Sequence, residues 1–80
     1  MAVEFCETIK KIAVLQESGT GRIKTELRLL KYPTRDGEYY DIRKWEYLED
    51  GTERMLKGIS LNYEAWECLK LAIAEIDKDE

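Results

Sequence analysis

The sequence predicts an α+β fold: a four-stranded antiparallel sheet followed by one C-terminal helix, in the order ββββα. Three observations lead there. Four runs of strand-like composition are separated by turns that carry glycine or proline. Those turns are too short to house crossover helices, so consecutive strands pair antiparallel. Only the last stretch of the chain switches to helical periodicity.

Strand one runs from about Ile9 to Glu17 and contains Ala13-Val14-Leu15. Ser18-Gly19-Thr20-Gly21 turns the chain. Strand two, about Arg22 to Tyr32, alternates plainly. Ile23, Thr25, Leu27 and Leu29 point to one face, which is expected to be the core, and Arg22, Lys24, Glu26 and Arg28 to the other. The segment Tyr32-Pro33-Thr34-Arg35-Asp36-Gly37 is the second turn. Strand three, Glu38 to Tyr47, places Tyr40 and Ile42 on one face and Tyr39, Asp41, Arg43, Trp45 and Tyr47 on the opposite one. After Glu49-Asp50-Gly51, strand four runs from about Thr52 to Leu61, with Ile59 and Leu61 on the core face. Gly58 inside it points to a bulge or a close backbone approach.

Asn62 is a good helix N-cap, and Glu64 and Glu67 suit the positive end of the helix dipole. The helix is expected over Tyr63 to Ile76, with Glu75, Asp77, Asp79 and Glu80 as a frayed acidic end. Ala65, Trp66, Cys68, Leu69, Ala72, Ile73 and Ile76 fill an arc of about 160° at 100° per residue. Trp66 and Cys68 are read as core. Leu71 widens the apolar arc to about 220°, more than one sheet face covers. A second copy of the chain is the simplest cover, with Leu69, Leu71, Ala72 and Ile76 at the contact.

Size and composition exclude much. Eighty residues make one domain spanning residues 1–80, and 44% apolar residues make it globular. No apolar run is long enough for a membrane span, and Met1 to Phe5 lacks the pattern of a signal peptide, so a cytoplasmic location is expected. With no histidine, histidine-based catalysis and most catalytic zinc sites are excluded. The two cysteines, Cys6 and Cys68, form no metal-binding or disulfide pattern. There is no phosphate-binding glycine loop. An enzyme, a cofactor and a metal are therefore not expected. Asp41, the one carboxylate placed mid-strand beside an arginine, reads as half of a structural pair with a basic neighbour.

The net charge is −4, from 13 basic and 17 acidic residues, yet it is unevenly spread. Residues 22–35 carry Arg22, Lys24, Arg28, Lys31 and Arg35 against Glu26 alone. One sheet face combines Arg22, Lys24 and Arg28 with Tyr32, Tyr39, Arg43, Trp45, Tyr47 and Lys57. Single strands of nucleic acid need that combination: cations follow the phosphates and flat rings take the unstacked bases. The same residues fit the wet side of an ordinary sheet, because aromatics are good strand formers, and pattern alone does not separate the two.

The segments Asp41-Ile42-Arg43-Lys44-Trp45, Lys57-Gly58-Ile59-Ser60-Leu61-Asn62, and Glu64, Trp66, Leu69-Lys70, Ile73 and Ile76-Asp77 form a distinctive series. It resembles the C-terminal domain of transcriptional positive cofactor 4. Ala13-Val14-Leu15 and Lys24-Thr25-Glu26-Leu27-Arg28-Leu29 look like the bacterial-type members. The resemblance implies a strongly curved sheet, a helix-mediated homodimer and largely sequence-independent binding of single-stranded DNA, in transcription, repair or replication. It implies binding residues at Arg43, Lys57 and the aromatics ending strand three. The expected interface is Arg22, Lys24, Arg28, Tyr32, Tyr39, Arg43, Trp45 and Lys57, with bases stacking on Trp45, Tyr32 and Tyr39 and with Tyr47 as the alternative to Trp45. Eukaryotic relatives carry a tryptophan where this chain has Glu46, a basic residue where it has Leu56, and a serine-rich tail that this sequence lacks. A bacterial or phage-type protein, free or nucleoid-associated, is therefore expected, without control by phosphorylation. RNA is an alternative ligand on the same chemistry. The alternative function is a dimeric protein-interaction module that docks on transcription-machinery proteins.

Overall fold

A computed structural model describes residues 6–78. These form β1 (Glu7–Glu17), β2 (Ile23–Lys31), β3 (Glu38–Tyr47), β4 (Glu53–Leu61) and α1 (Tyr63–Lys78). The strands make one antiparallel meander in the order β1-β2-β3-β4. The predicted fold class is borne out, with ends shifted by two residues or fewer. Residues 1–5 and the pair Asp79 and Glu80, read from sequence as a chain start and a frayed acidic end, lie outside the described residues.

Local chemistry accounts for the punctuation. Gly51 adopts φ 87°, a left-handed conformation that favours glycine. Its turn is closed by Leu48 N–H donating to the Thr52 carbonyl at 2.9 Å, while Asp50 Oδ1 accepts from the Thr52 N–H at 2.9 Å. Asn62 caps the helix as expected, accepting from the Ala65 N–H at 2.9 Å.

β1 slips register against β2 within the described residues at Thr8/Lys10, Lys11/Ala13 and Val14/Gln16. Thr8, Lys11, Val14 and Glu17 therefore pair with Leu30, Arg28, Glu26 and Lys24. Every third residue of β1 meets every second residue of β2. Ile9, Ile12 and Leu15 are the extra residues at the slips, and such bulges add twist. On the other side, β3 and β4 shift register between Arg43 and Trp45. Gly58 faces Arg43 there, and a Cβ on it would stand 1.8 Å from the Arg43 Cβ. Both readings of Gly58, bulge and close approach, are borne out.

The core lies on the face that the sequence reading left open. Among the described residues the buried apolar side chains are Leu30, Tyr32 and Trp45. They share their face with buried Glu26, Arg28 and Asp41. The face expected to be the core is only half-covered: Leu27, Leu29, Ile42 and Leu61 are half-buried, and Ile59 is exposed. The reason is geometric. Side chains of β1, β2 and β4 meet over the aromatic face, Lys11 and Arg28 both reaching Glu53, whereas among the described residues α1 touches only β3 and β4 and leaves much of the opposite face open.

Two helix expectations change with it. Trp66 is half-buried, stacked on Tyr40 at 4.4 Å between ring centroids. Cys68, expected to be buried, is exposed, because among the described residues α1 packs only on β3 and β4, along its other side.

Candidate nucleic-acid interface

The register confirms which residues share the aromatic face. Lys24 pairs with Trp45, Glu26 with Arg43, Arg28 with Asp41 and Leu30 with Tyr39. Charged groups enclosed by the curved sheet must find partners, since an unpaired buried charge is costly. Two networks supply them.

The first centres on Arg28, which is 1% exposed. Its Nε donates to Glu26 Oε1 at 2.7 Å and its Nη1 to Thr8 Oγ1 at 3.0 Å. Nη2 donates to Tyr47 Oη at 3.3 Å and closely to Glu53 Oε2. The Tyr47 hydroxyl in turn donates to Glu26 Oε2. Burial lowers the pKa of Arg28, but Glu53 and Glu26 outweigh it and leave it above its ordinary value. Burial pushes the Tyr47 phenol up, and the neighbouring Glu26 carboxylate reinforces the shift.

The second network centres on the fully buried Asp41. Arg43 donates to both its oxygens, Nε to Oδ1 and Nη2 to Oδ2, each at 2.8 Å. Arg43 Nη1 also donates to the Leu56 carbonyl at 3.1 Å. The Ser60 hydroxyl donates to Asp41 Oδ2 at 2.6 Å, so Tyr32 donates to Ser60 Oγ at 2.8 Å. The structural pairing read for Asp41 is thus borne out.

Cations lie against the rings throughout. The Arg28 guanidinium carbon is 3.7 Å from the Trp45 centroid. Lys24 and Lys11 Nζ lie 5.0 and 5.5 Å from the Tyr47 centroid. The Arg35 guanidinium is 4.7 Å from Tyr32 and 5.7 Å from Tyr39, and those two rings meet edge to face at 5.9 Å. A groove of about 480 Å³ opens beside Arg35 and Arg43, along Leu56, Gly58 and Ser60 of β4.

The expected interface residues therefore occupy different environments. Arg22 and Lys57 are exposed, and Lys24, Tyr39 and Arg43 are half-buried. Arg28, Tyr32 and Trp45 are buried. The sequence reading treated this face as the surface opposite the core; the structure encloses its centre. Of the expected dimer residues, Leu69 is half-buried, whereas Leu71, Ala72 and Ile76 are exposed. Sequence reasoning missed Lys11 in this setting, because the slips of β1 replace simple alternation with a three-residue spacing. It also missed Glu53 and Ser60, whose roles depend on β4 curving over β3.

Neither a search of curated proteins nor a search of solved structures found a match. A family comparison did. Residues 34–72, which span β3, β4 and much of α1, match the family model of transcriptional coactivator p15 (PC4), a family of nucleic-acid-binding transcription cofactors, and the resemblance read from the sequence stands on that match.

Proposed function

We propose that this chain is a homodimeric, largely sequence-independent binder of single-stranded DNA that acts in transcription, repair or replication in the cytoplasm. The observation that carries the reading is the grouping of cations against aromatic rings on one curved face: Lys24 at Tyr47, and Arg35 at Tyr32 and Tyr39. A strand lying there would exchange weak cation–ring contacts for phosphate contacts and base stacking. Lys24, Lys57 and Arg22 are the phosphate contacts of this reading. Arg28 and Arg43 act from within, since Glu26, Glu53 and Asp41 already match their charges.

A second copy is part of the reading. The helix has no buried residue, and Leu71, Ile73 and Ile76 are 69%, 48% and 63% exposed. A chain this small with so much open apolar surface is marginal by itself.

The test is fluorescence anisotropy of a labelled oligo-dT at two salt concentrations, with duplex DNA as competitor. Binding that weakens with salt, and that duplex does not displace, is expected. Lys57→Ala should flatten the log–log salt slope by about 0.7. An absence of binding at low salt would overturn the reading and favour a protein-interaction module.

A further inference from the structure

We propose that the Asp36-Gly37 bond is a site of spontaneous backbone isomerisation, at which Asp36 becomes isoaspartate in the folded protein. The sequence holds two Asp-Gly pairs, Asp36-Gly37 and Asp50-Gly51, one in each of the turns that flank β3. The chemistry open to them is the same, and their surroundings decide between them.

The reaction needs no partner but water. The Gly37 backbone nitrogen attacks Asp36 Cγ and a C–N bond forms. The carboxyl group loses its hydroxyl, the amide loses its proton, and the two leave as water. The product is a five-membered imide. A water molecule then adds to the former peptide carbonyl of Asp36, the C–N bond there breaks, and the nitrogen regains its proton. The main chain now runs through the side-chain carbon and is one CH₂ longer. The former peptide carbonyl has become a free carboxylate.

Space does not separate the two pairs. A Cβ on Gly37 or on Gly51 would meet nothing within 4 Å, so neither nitrogen is shielded by packing. Both glycines are also left-handed, with φ 81° and 87°.

Hydrogen bonding does separate them. At Asp50-Gly51 both reacting groups are engaged. Asp50 Oδ1 accepts from the Thr52 N–H at 2.9 Å and from Thr52 Oγ1 at 2.5 Å. The Gly51 N–H donates to the Leu48 carbonyl at 3.1 Å. The Thr52 hydroxyl and then its amide hold the Asp50 carboxyl below its ordinary pKa, so the protonated form that loses water is scarce. Asp36, by contrast, is exposed and makes no hydrogen bond or ion pair with the described residues. The Gly37 N–H donates to none of them either.

The change falls beside a contact of the aromatic face. Asp36 follows Arg35, whose guanidinium lies 4.7 Å from Tyr32 and 5.7 Å from Tyr39. Aged copies therefore carry a lengthened β2–β3 turn with a carboxylate relocated next to Arg35.

The experiment incubates folded protein and urea-unfolded protein at neutral pH in heavy-oxygen water, then digests both with trypsin in ordinary water. Cleavage after Arg35, Lys44 and Arg54 puts Asp36 and Asp50 in separate peptides. Fragmentation locates the incorporated oxygen, and labelling by an isoaspartyl methyltransferase counts the isoaspartate. In the folded protein Asp36 should react faster than Asp50 by about tenfold or more, the cost of first releasing a hydrogen bond to a carboxylate. In urea the two rates should converge. Thr52→Val, which removes the hydroxyl and keeps the amide, should speed Asp50 in the folded protein. Equal rates at the two positions in folded wild type, or a faster Asp50, overturn the proposal. So does an absence of isoaspartate at Asp36 from the folded protein. Should Thr52→Val fail to fold, the wild-type comparison decides alone.

Discussion

Arg28 lies against Trp45, with its guanidinium carbon 3.7 Å from the ring centroid, while its nitrogens reach Glu26, Glu53, Thr8 and Tyr47. One side chain thus ties together β1, β2, β3 and β4. The charge that sequence alone assigns to a ligand is used to tie the four strands of the open sheet together.

Removing that charge should be costly. Arg28→Met leaves Glu26 buried beside an apolar group, and losing one partner of a buried pair costs about 3–5 kcal/mol. Urea unfolding checks this. A loss below about 1 kcal/mol would place the pair with ordinary surface bridges.

Gly58→Ala should be among the most damaging small changes. The new Cβ would stand 1.8 Å from the Arg43 Cβ and 2.6 Å from the Ile42 carbonyl oxygen. Backbone must move, at about 3 kcal/mol or more. A thermal melt within a few degrees of the wild type would show that β4 can slide away without penalty.

Leu71→Glu should shift the protein toward monomers in sedimentation velocity. Leu71 is 69% exposed in the protomer, so the substitution leaves the fold's own packing intact. An unchanged sedimentation coefficient would remove this side of α1 from any contact between copies.

Acid should weaken the fold through Glu53. Burial raises its carboxyl, but hydrogen bonding and charge from Arg28, with Lys11 adding to them, bring it below the ordinary value of 4.5. A depressed carboxylate stabilises fully above its unfolded pKa, and the contribution is lost as pH falls through the folded pKa. The Tm should therefore hold through neutral pH and drop below about pH 4.5. Glu53→Gln should have a lower Tm at neutral pH and a shallower acid decline. Equal acid declines for the two proteins would assign acid sensitivity to other carboxylates.

Strand and helix positions were readable because they are local. Alternation in Ile23 to Leu29, the glycine turns and the Asn62 cap are written within a few residues of where they act. The grouping of Tyr39, Asp41, Arg43, Trp45 and Tyr47 on one face was readable for the same reason, since side chains alternate along a strand. β1 resisted this logic. Its slips change the spacing from two residues to three, so Lys11 joins the aromatic face without any sign in simple alternation.

By itself, then, the sequence determined the element order, the antiparallel meander, the capping and which residues of β2 and β3 share a face. These follow from backbone periodicity and from side chains acting on their own neighbours. Only the tertiary structure decided which face closes into a core. That choice depends on how far β1 and β4 curl and how little of the sheet α1 covers. Curvature turned Arg28 and Trp45 from expected surface into buried framework, and left Tyr47, Lys11 and Lys24 lining a cleft.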